Sequence, residues 1–515
     1  MFGFYIIFLL DLSEFAMAYG GPGSDYAYSL IRTGDRGFAL VGATYSGGAG
    51  GADLLVIRLD SIGNIVWAKA YGGPGNDLGY SVAEMPDGGL AIVGETRSFG
   101  SGGLDILVIR TDPTGNILWA RTYGGPLDDQ AQSVIVTADS GFAITGISRS
   151  YGAGNGDCIL LRLNSNGALS WARAYGGSGL DLGASIIESS DGGFLVAGYA
   201  FVGGLDEQAD IMVIKTNSSG GVSWARLYGG PSSDYARGAS ETSSGDFIVA
   251  GSTYSFGSGE YDFMVMKINP SGSIIWARSF GDLDMDYAQG VVSTPEGGCV
   301  VVGQTQNYGA GLNDFMFLRL DSYGSLFWAR TFGGPNADYP KAIVPTSDGG
   351  FAIAGYSYSF GAGAYDAVVL RLDSLGQYEN CTMDCQPNMS IPSPSFSVIS
   401  TGATVNPSAS SPSLTVTPIS LSTTVVCRPF YIWEEGTAEG RLIFSYPVSG
   451  GAGFVSSTEA IIRVFSVDGK LVYCGKLMKG ENRICLGTGV YLWMAELLSE
   501  TEGSNRTISS RLVVH

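Results

Sequence analysis

The chain has 515 residues, 78 of them glycine, with only 15% charged residues and a net charge of −20. So acidic a chain disfavours nucleic acid and anionic membranes, both polyanions. A single histidine, His515, excludes Ser-His-Asp and Cys-His catalysis and makes a histidine-rich zinc site implausible.

In chain order, residues 1–11 form an apolar, signal-like segment (Met-Phe-Gly-Phe-Tyr-Ile-Ile-Phe-Leu-Leu-Asp) without a basic n-region. Ala16-Met17-Ala18 reads either as a cleavage site or as repeat sequence, because Phe15-Ala-Met-Ala-Tyr-Gly-Gly aligns with Trp67-Ala-Lys-Ala-Tyr-Gly-Gly. No segment reaches the roughly 20 apolar residues needed to span a bilayer as a helix.

A repeat of roughly 52 residues follows. An aromatic-glycine pair opens each copy, at Tyr19, Tyr71, Tyr123, Tyr175, Tyr228, Phe280 and Phe332, and Trp67, Trp119, Trp171, Trp224, Trp276 and Trp328 keep the same beat. Copy two reads as strands Leu78 to Met85, Leu90 to Ser98, Ile106 to Thr111 and Ile117 to Tyr123. Pro86-Asp-Gly-Gly, a glycine-rich loop and Asp112-Pro-Thr-Gly115 separate them. Four antiparallel strands in each of seven copies predict an all-β, seven-bladed propeller over residues 12–380. Small residues such as Ala27, Gly79 and Ala131 suit the crowded inner strand, and aromatics suit the outer one. The seventh copy ends without a tryptophan, so residues 12–18 are expected to supply its outer strand and close the ring.

The Asp60-to-Trp67 and Asp112-to-Trp119 segments resemble the tryptophan-docking motif of quinoprotein propellers, with the aspartate shifted by one residue. The whole repeat resembles bacterial secreted β-propeller repeats that carry Gly-Gly-Phe-x-Ile-x-Gly, here Gly349-Gly-Phe-Ala-Ile-Ala-Gly355.

Three polar positions recur in every copy. One is Asp25, Asp77, Asp129, Asp181, Asp234, Asp286 and Asp338. The second opens the third strand: Asp53, Asp105, Asp157, Asp210, Asp262, Asp314 and Asp366. The third is a cation five residues later: Arg58, Arg110, Arg162, Lys215, Lys267, Arg319 and Arg371. Topology puts both aspartate rings on one face. A residue needed in every blade is a fold device before it is a ligand, capping loops or pairing with the cation of a neighbouring strand. The sharper reading is a calcium site at Asp282, Asp284 and Asp286, where copy six replaces Gly-Gly-Pro with Gly281-Asp282-Leu283-Asp284. Other departures on that face are Asp206 and Glu207 in a copy-four insertion, and Glu260 and Tyr261 in copy five. These are the candidates for a ligand face.

Residues 381–430 are rich in Ser, Pro and Thr and read as an extended linker, with room for a strand that lies on a neighbour. Residues 431–515 show strands again, at Arg441 to Tyr446, Ala460 to Ser466, Lys470 to Gly475, Gly489 to Leu498 and Thr507 to Val514. Ile462-Arg-Val-Phe-Ser-Val-Asp-Gly-Lys-Leu-Val472, Gly489-Val-Tyr-Leu-Trp493 and Arg511-Leu-Val-Val514 resemble the C-terminal sorting domains of type IX secretion. Tyr446-Pro-Val only partly matches that family's opening motif. The resemblance implies a removable export address, with the propeller as cargo; a plain immunoglobulin-like β-sandwich module is the alternative. Cys158 and Cys299 sit in apolar strands as buried thiols. Cys381, Cys385, Cys427, Cys474 and Cys485 cluster beyond the repeats and point to disulfides in an oxidising compartment. Their pairing is open: Cys474 with Cys485 across strands, or Cys381 or Cys385 with Cys427.

The expected protein is a secreted or cell-surface scaffold that binds a glycan or protein partner through the aspartate face. A polysaccharide hydrolase and a structural surface-layer component are the alternatives. A sialidase-like site would need an arginine cluster, but the repeat arginines occupy one architectural position. A quinoprotein dehydrogenase would show adjacent cysteines and eight blades. Converging Arg, Tyr and acid groups in a central pocket would favour a hydrolase; a filled or featureless axis would favour binding or structure.

Overall fold

The computed structural model describes residues 14–201, 208–309, 311–361 and 364–377 in full, and further strands between 408 and 514 through their backbone alone. Residues 17–377 with 383–424 form one compact unit; residues 1–16, 378–382 and 425–515 form another.

The larger unit is a seven-bladed propeller of four-stranded antiparallel blades. Blade 1 comprises Asp25–Arg32, Phe38–Thr44, Asp53–Leu59 and Ile65–Gly72, from the inner to the outer strand. Blade 7 takes Asp338–Pro345, Phe351–Ser357 and Asp366–Leu372 from its own copy, and Phe15–Gly20 lies hydrogen-bonded beside the last of these as its outer strand. The inner strands touch in sequence around the circle, and the first touches the seventh.

The apolar core lies between blades. Val41, Leu54 and Val56 of blade 1 pack against Val82, Ile92, Leu107 and Ile109 of blade 2. Burying each such side chain contributes about 1.5–3 kcal/mol. One blade alone would leave both sheet faces wet, which is why the unit is stable only in a ring. Every inner strand carries a β-bulge at its fourth residue, as between Ala27 and Ser29 or between Gly79 and Ser81. The bulge adds a residue on the axis side and increases local twist.

A latch joins each outer strand to the next blade. The Tyr19 hydroxyl donates to the carbonyl of Gly63 at 2.7 Å, Tyr71 to Gly115 at 2.7 Å, Tyr175 to Gly220 at 2.7 Å and Tyr228 to Gly272 at 2.6 Å; Tyr123 bonds Gly167 in the same way. The tryptophan four residues before the aromatic lies over the same turn, and Trp67 Nε1 donates to the Pro113 carbonyl at 3.1 Å. Gly115 must be glycine for two reasons. Its φ is +77°, and a Cβ there would stand 2.9 Å from the Trp67 ring.

The cations of the third strand pair with an aspartate that the sequence reading did not single out. Arg58 bonds Asp35 at 2.5 Å, Arg110 bonds Asp87 at 2.5 Å, Arg162 bonds Asp139 at 2.5 Å and Lys215 bonds Asp191 at 2.7 Å. These acids sit in the turn between the first and second strands. The expected partnership with the aspartate rings fails for a geometric reason. The cation lies five residues along its strand from the ring aspartate, about 17 Å away at ~3.3 Å per residue, on the opposite face.

Part of the linker lies on the propeller rim. Ser408–Ser410 pairs antiparallel with Thr122, Tyr123 and Gly124 of blade 2, and Thr415–Pro418 pairs with Lys69 to Gly72 of blade 1, so each outer edge gains a fifth strand. In the smaller unit, strands Ile443–Val448, Gly451–Ser456 and Gly480–Cys485 form one antiparallel sheet. Leu471–Leu477, Ala460–Ser466, Gly489–Leu497 and Arg506–Val514 form another. Cys474 and Cys485 thus belong to different sheets rather than to neighbouring strands. Their side chains, those of Cys381, Cys385 and Cys427, and the signal-like segment lie outside the described residues. Among the described residues no helix is long and apolar enough to cross a membrane.

The latch makes a graded prediction in denaturant titrations. Tyr71→Phe should cost about 1 kcal/mol, the net value of one hydrogen bond, since Phe280 and Phe332 already hold this position without a hydroxyl. Gly115→Ala should cost more, about 2 kcal/mol, because a positive φ and a steric overlap act together. Equal costs would contradict the account.

Candidate functional site

Both aspartate rings lie on one face, because the first strand starts, the second ends and the third starts there: Asp25 pairs with Thr44, and Thr44 with Asp53. The two rings meet at the blade junctions. The glycine after each repeat aromatic is flanked by the third-strand aspartate of its own blade and the first-strand aspartate of the next. A Cβ on Gly72 would lie 1.9 Å from Asp53 Oδ1 and 2.9 Å from Asp77 Oδ2; on Gly281, 2.0 Å from Asp262 and 2.6 Å from Asp286. That crowding explains why Gly281 and Gly333 persist even where the tyrosine has become phenylalanine.

These carboxylates are wired to backbone. Asp25 accepts from Gly21 N at 2.7 Å and from Ser46 Oγ at 2.6 Å; Asp77 accepts from Gly73 N at 2.8 Å; Asp53 accepts from Ala49 N at 2.9 Å; and Asp262 accepts from Ser258 N at 2.8 Å. Asp53, Asp157, Asp262 and Asp286 each also bury an Oδ1 that has no hydrogen-bond partner in the structure. Burial is the main reason their carboxyls titrate high, with the facing acid adding to it at several junctions. Asp53, Asp181 and Asp210 rise to about 6, and Asp262 and Asp286 to about 7.

The copy-six acids have different partners, although Asp282 N donates to Asp286 at 3.2 Å. Asp286 faces Asp262 at the junction, Asp282 accepts from Asn307 Nδ2 at 2.6 Å, and Asp284 is exposed with its N–H donating to Asp282 at 3.2 Å. Among the described residues, no group of three or more His, Cys, Asp or Glu side chains is arranged to hold a metal. Asp206 and Glu207 lie outside the described residues. Glu260 is exposed. Tyr261 stands in an aromatic cluster, 5.0 Å from both Tyr254 and Tyr287 and 6.1 Å from Tyr235 between ring centroids.

That cluster belongs to a feature the sequence reading missed. Around the axis, on the aspartate face, tyrosines gather in two arcs. In blades 7, 1 and 2, Tyr26 meets Tyr356 at 4.9 Å and Tyr365 at 5.6 Å, and Tyr28 meets Tyr80 at 5.6 Å. In blades 4 to 6, Tyr199 meets Tyr235 at 4.9 Å. The residue leaving the second strand forms the rim. It is Tyr45, Tyr254 and Tyr358 in blades 1, 5 and 7, each about half exposed, and Arg97 and Arg149, also exposed, in blades 2 and 3. Below the rim, the bulge residue places Tyr28, Tyr80, Gln132, Arg237, Gln289 and Lys341 at one height. Blade 4 has only Ala184 there. Lys341 Nζ lies 5.6 Å from the Tyr356 ring, and Arg237 lies 5.6 Å from the Tyr199 ring. Glu95 is buried and accepts from Gln130 Nε2 at 2.6 Å. These positions could have been found by asking which columns of the repeat vary while their neighbours stay constant.

A cleft of ≈ 750 Å³ opens on the opposite face between blades 1 and 2, lined by Asp35, Arg58, Trp67, Glu84 and Asp87. Its charged groups are already engaged. Arg58 bonds Asp35, Arg110 bonds Asp87, and Glu84 accepts from Gly34 N at 2.7 Å.

No protein-family model matches the chain. The regulatory protein FlaEY of Caulobacter vibrioides is 27% identical over 147 residues, a match that takes in 25% of this chain and 15% of that protein. The chain therefore spans a small fraction of its curated relative. Among solved structures, a protein of unknown function from Dyadobacter fermentans is similar at TM-score 0.40 and 11% identity, over 69% of this chain and 98% of that one. PorZ, an essential surface component of the type IX secretion system of Porphyromonas gingivalis, is similar at TM-score 0.40 and 12% identity, over 96% of this chain and 60% of its own.

The buried acid rings set a pH dependence. A carboxyl whose pKa is raised by folding binds its proton more tightly in the folded state. Stability is therefore greatest near pH 4 to 5 and falls as pH rises through about 6 to 7. Below about pH 4 the sign reverses, because Asp139, bonded by Arg162, is held down to about 2. Melting by circular dichroism should give a higher Tm at pH 5 than at pH 8, and Asp262→Asn should narrow the gap. A Tm that climbs steadily from pH 5 to pH 8 would contradict this account.

Proposed function

We propose that this protein is a secreted or cell-surface binding propeller that receives its ligand at the tyrosine-lined mouth of the axis. The observation that carries this reading is the contrast between columns of the repeat. The aspartates, cations, glycines and outer aromatics are spent on joining blades and recur in all or nearly all copies. The rim column, with Tyr45, Tyr254 and Tyr358 half exposed, and the column beneath it change from blade to blade. A rigid ring that presents half-exposed aromatic faces beside hydrogen-bonding groups is suited to amphipathic ligands such as sugars, whose rings carry an apolar C–H face and a hydroxyl rim.

In the same reading, residues 431–515 are an immunoglobulin-like sandwich and an export address. The antiparallel pairing of Ala460–Ser466 with Leu471–Leu477 supports the assignment.

The varied columns around the axis carry the binding reading, and one axial pair there is Tyr80 with Glu95. Tyr80 and Glu95 are bonded to each other, and burial raises both the phenol and the carboxyl, with Arg97 partly offsetting the rise at Glu95.

A glycan array probed with the full chain tests the reading. The chain should bind a restricted set of oligosaccharides and release no new reducing ends from them. The triple variant Tyr45→Ala, Tyr254→Ala, Tyr358→Ala should bind at least about tenfold more weakly with nearly the same Tm, because exposed side chains contribute little to stability. Unchanged binding by the triple variant would move the site elsewhere.

A further inference from the structure

The charge at the axis does not match the charge of the chain. In a protein of net charge −20, Arg237 and Lys341 stand at one height on the axis, and among the described residues neither is paired with a carboxylate. Their partners in the structure are aromatic rings, Tyr199 and Tyr356. This sets them apart from Arg58, Arg110, Arg162, Lys215, Lys267 and Arg371, each of which is paired with an aspartate. Glu95 does not neutralise them, since its own bonds run to Gln130 and Tyr80. Burial, with the charge of Arg237 adding to it, holds the Lys341 ammonium down to about 8. Above them Arg97 and Arg149 stand exposed on the rim. Gln132 and Gln289 at the same height add amide donors.

Resting on the reading of the mouth as a sugar site, we propose that the ligand is an acidic oligosaccharide whose uronate carboxylate is taken by Arg237 and Lys341 while its rings lie against the rim tyrosines. A guanidinium can bind a carboxylate through two parallel N–H bonds, and cations set at one height around an axis are relieved by an anion received there. The tyrosine faces select a sugar over a bare anion. The net charge of the chain disfavours a densely charged polypeptide, which the surrounding surface would repel, relative to a short oligosaccharide with one charge per ring.

Isothermal titration of the full chain with tri-galacturonate, with its carboxyl-reduced neutral counterpart and with poly-L-glutamate separates the possibilities. The expected result is at least tenfold tighter binding of the uronate than of the reduced sugar, and no tight binding of poly-L-glutamate. Lys341→Met and Arg237→Gln should each lower the ratio of uronate to reduced-sugar affinity by at least about fivefold. Equal binding of charged and reduced sugars would overturn the anion assignment and leave the binding site standing. Binding of neither sugar would overturn both. Preference for poly-L-glutamate would overturn the sugar class. The comparison of the three probes on the unaltered chain does not depend on any variant folding.

Discussion

The structure depends on the contact between an aromatic side chain at the end of one blade and a glycine turn at the start of the next blade's outer hairpin. The Tyr71 hydroxyl and the Trp67 ring reach across the gap to the turn around Gly115, and the same pairing recurs from blade to blade. A sheet with two apolar faces has no stable isolated form. The latch fixes the distance and angle at which the next sheet covers it, and the interblade cores can then fill. Phe15–Gly20 carries this logic across the join, since Tyr19 reaches Gly63 of blade 1 from the outer edge of blade 7.

On the aspartate face the junctions are bound by a second device of opposite character. Pairs of buried carboxylates close on the glycine that follows each aromatic, holding loop amides but carrying strain in their own ionisation. The other face is held by ordinary ion pairs such as Arg162 with Asp139, in which the cation is buried and the acid stands in solvent. One face therefore gains from the charge of its acids and the other gains when its acids are neutral.

Much of this was legible in the sequence. Blade number, strand order, the shared face of both aspartate rings and the burial of Cys158 and Cys299 follow from period, alternation and turn chemistry. The partner of the cations was not legible. Asp35 and Arg58 are 23 positions apart, and only the hairpin geometry brings them together. The axial tyrosines were missed because a search for recurring residues finds architecture, whereas a binding surface on a symmetric scaffold is made by residues that break the recurrence. Tyr261 was noticed because it broke the pattern in one loop. Tyr28, Arg237 and Lys341 occupy a bulge position whose residue changes from copy to copy, so a search for recurrence passes over it.

The central claim is that the copies form a closed circle whose last sheet is completed from the chain's beginning. Hydrogen exchange resolved by segment measures it directly. If the ring is closed, the amides of Phe15–Gly20 exchange as slowly as those of Val222–Tyr228, the outer strand of blade 4. If Phe15–Gly20 exchanges at the rate of a free peptide while Val222–Tyr228 stays protected, the circle is open and the account is wrong.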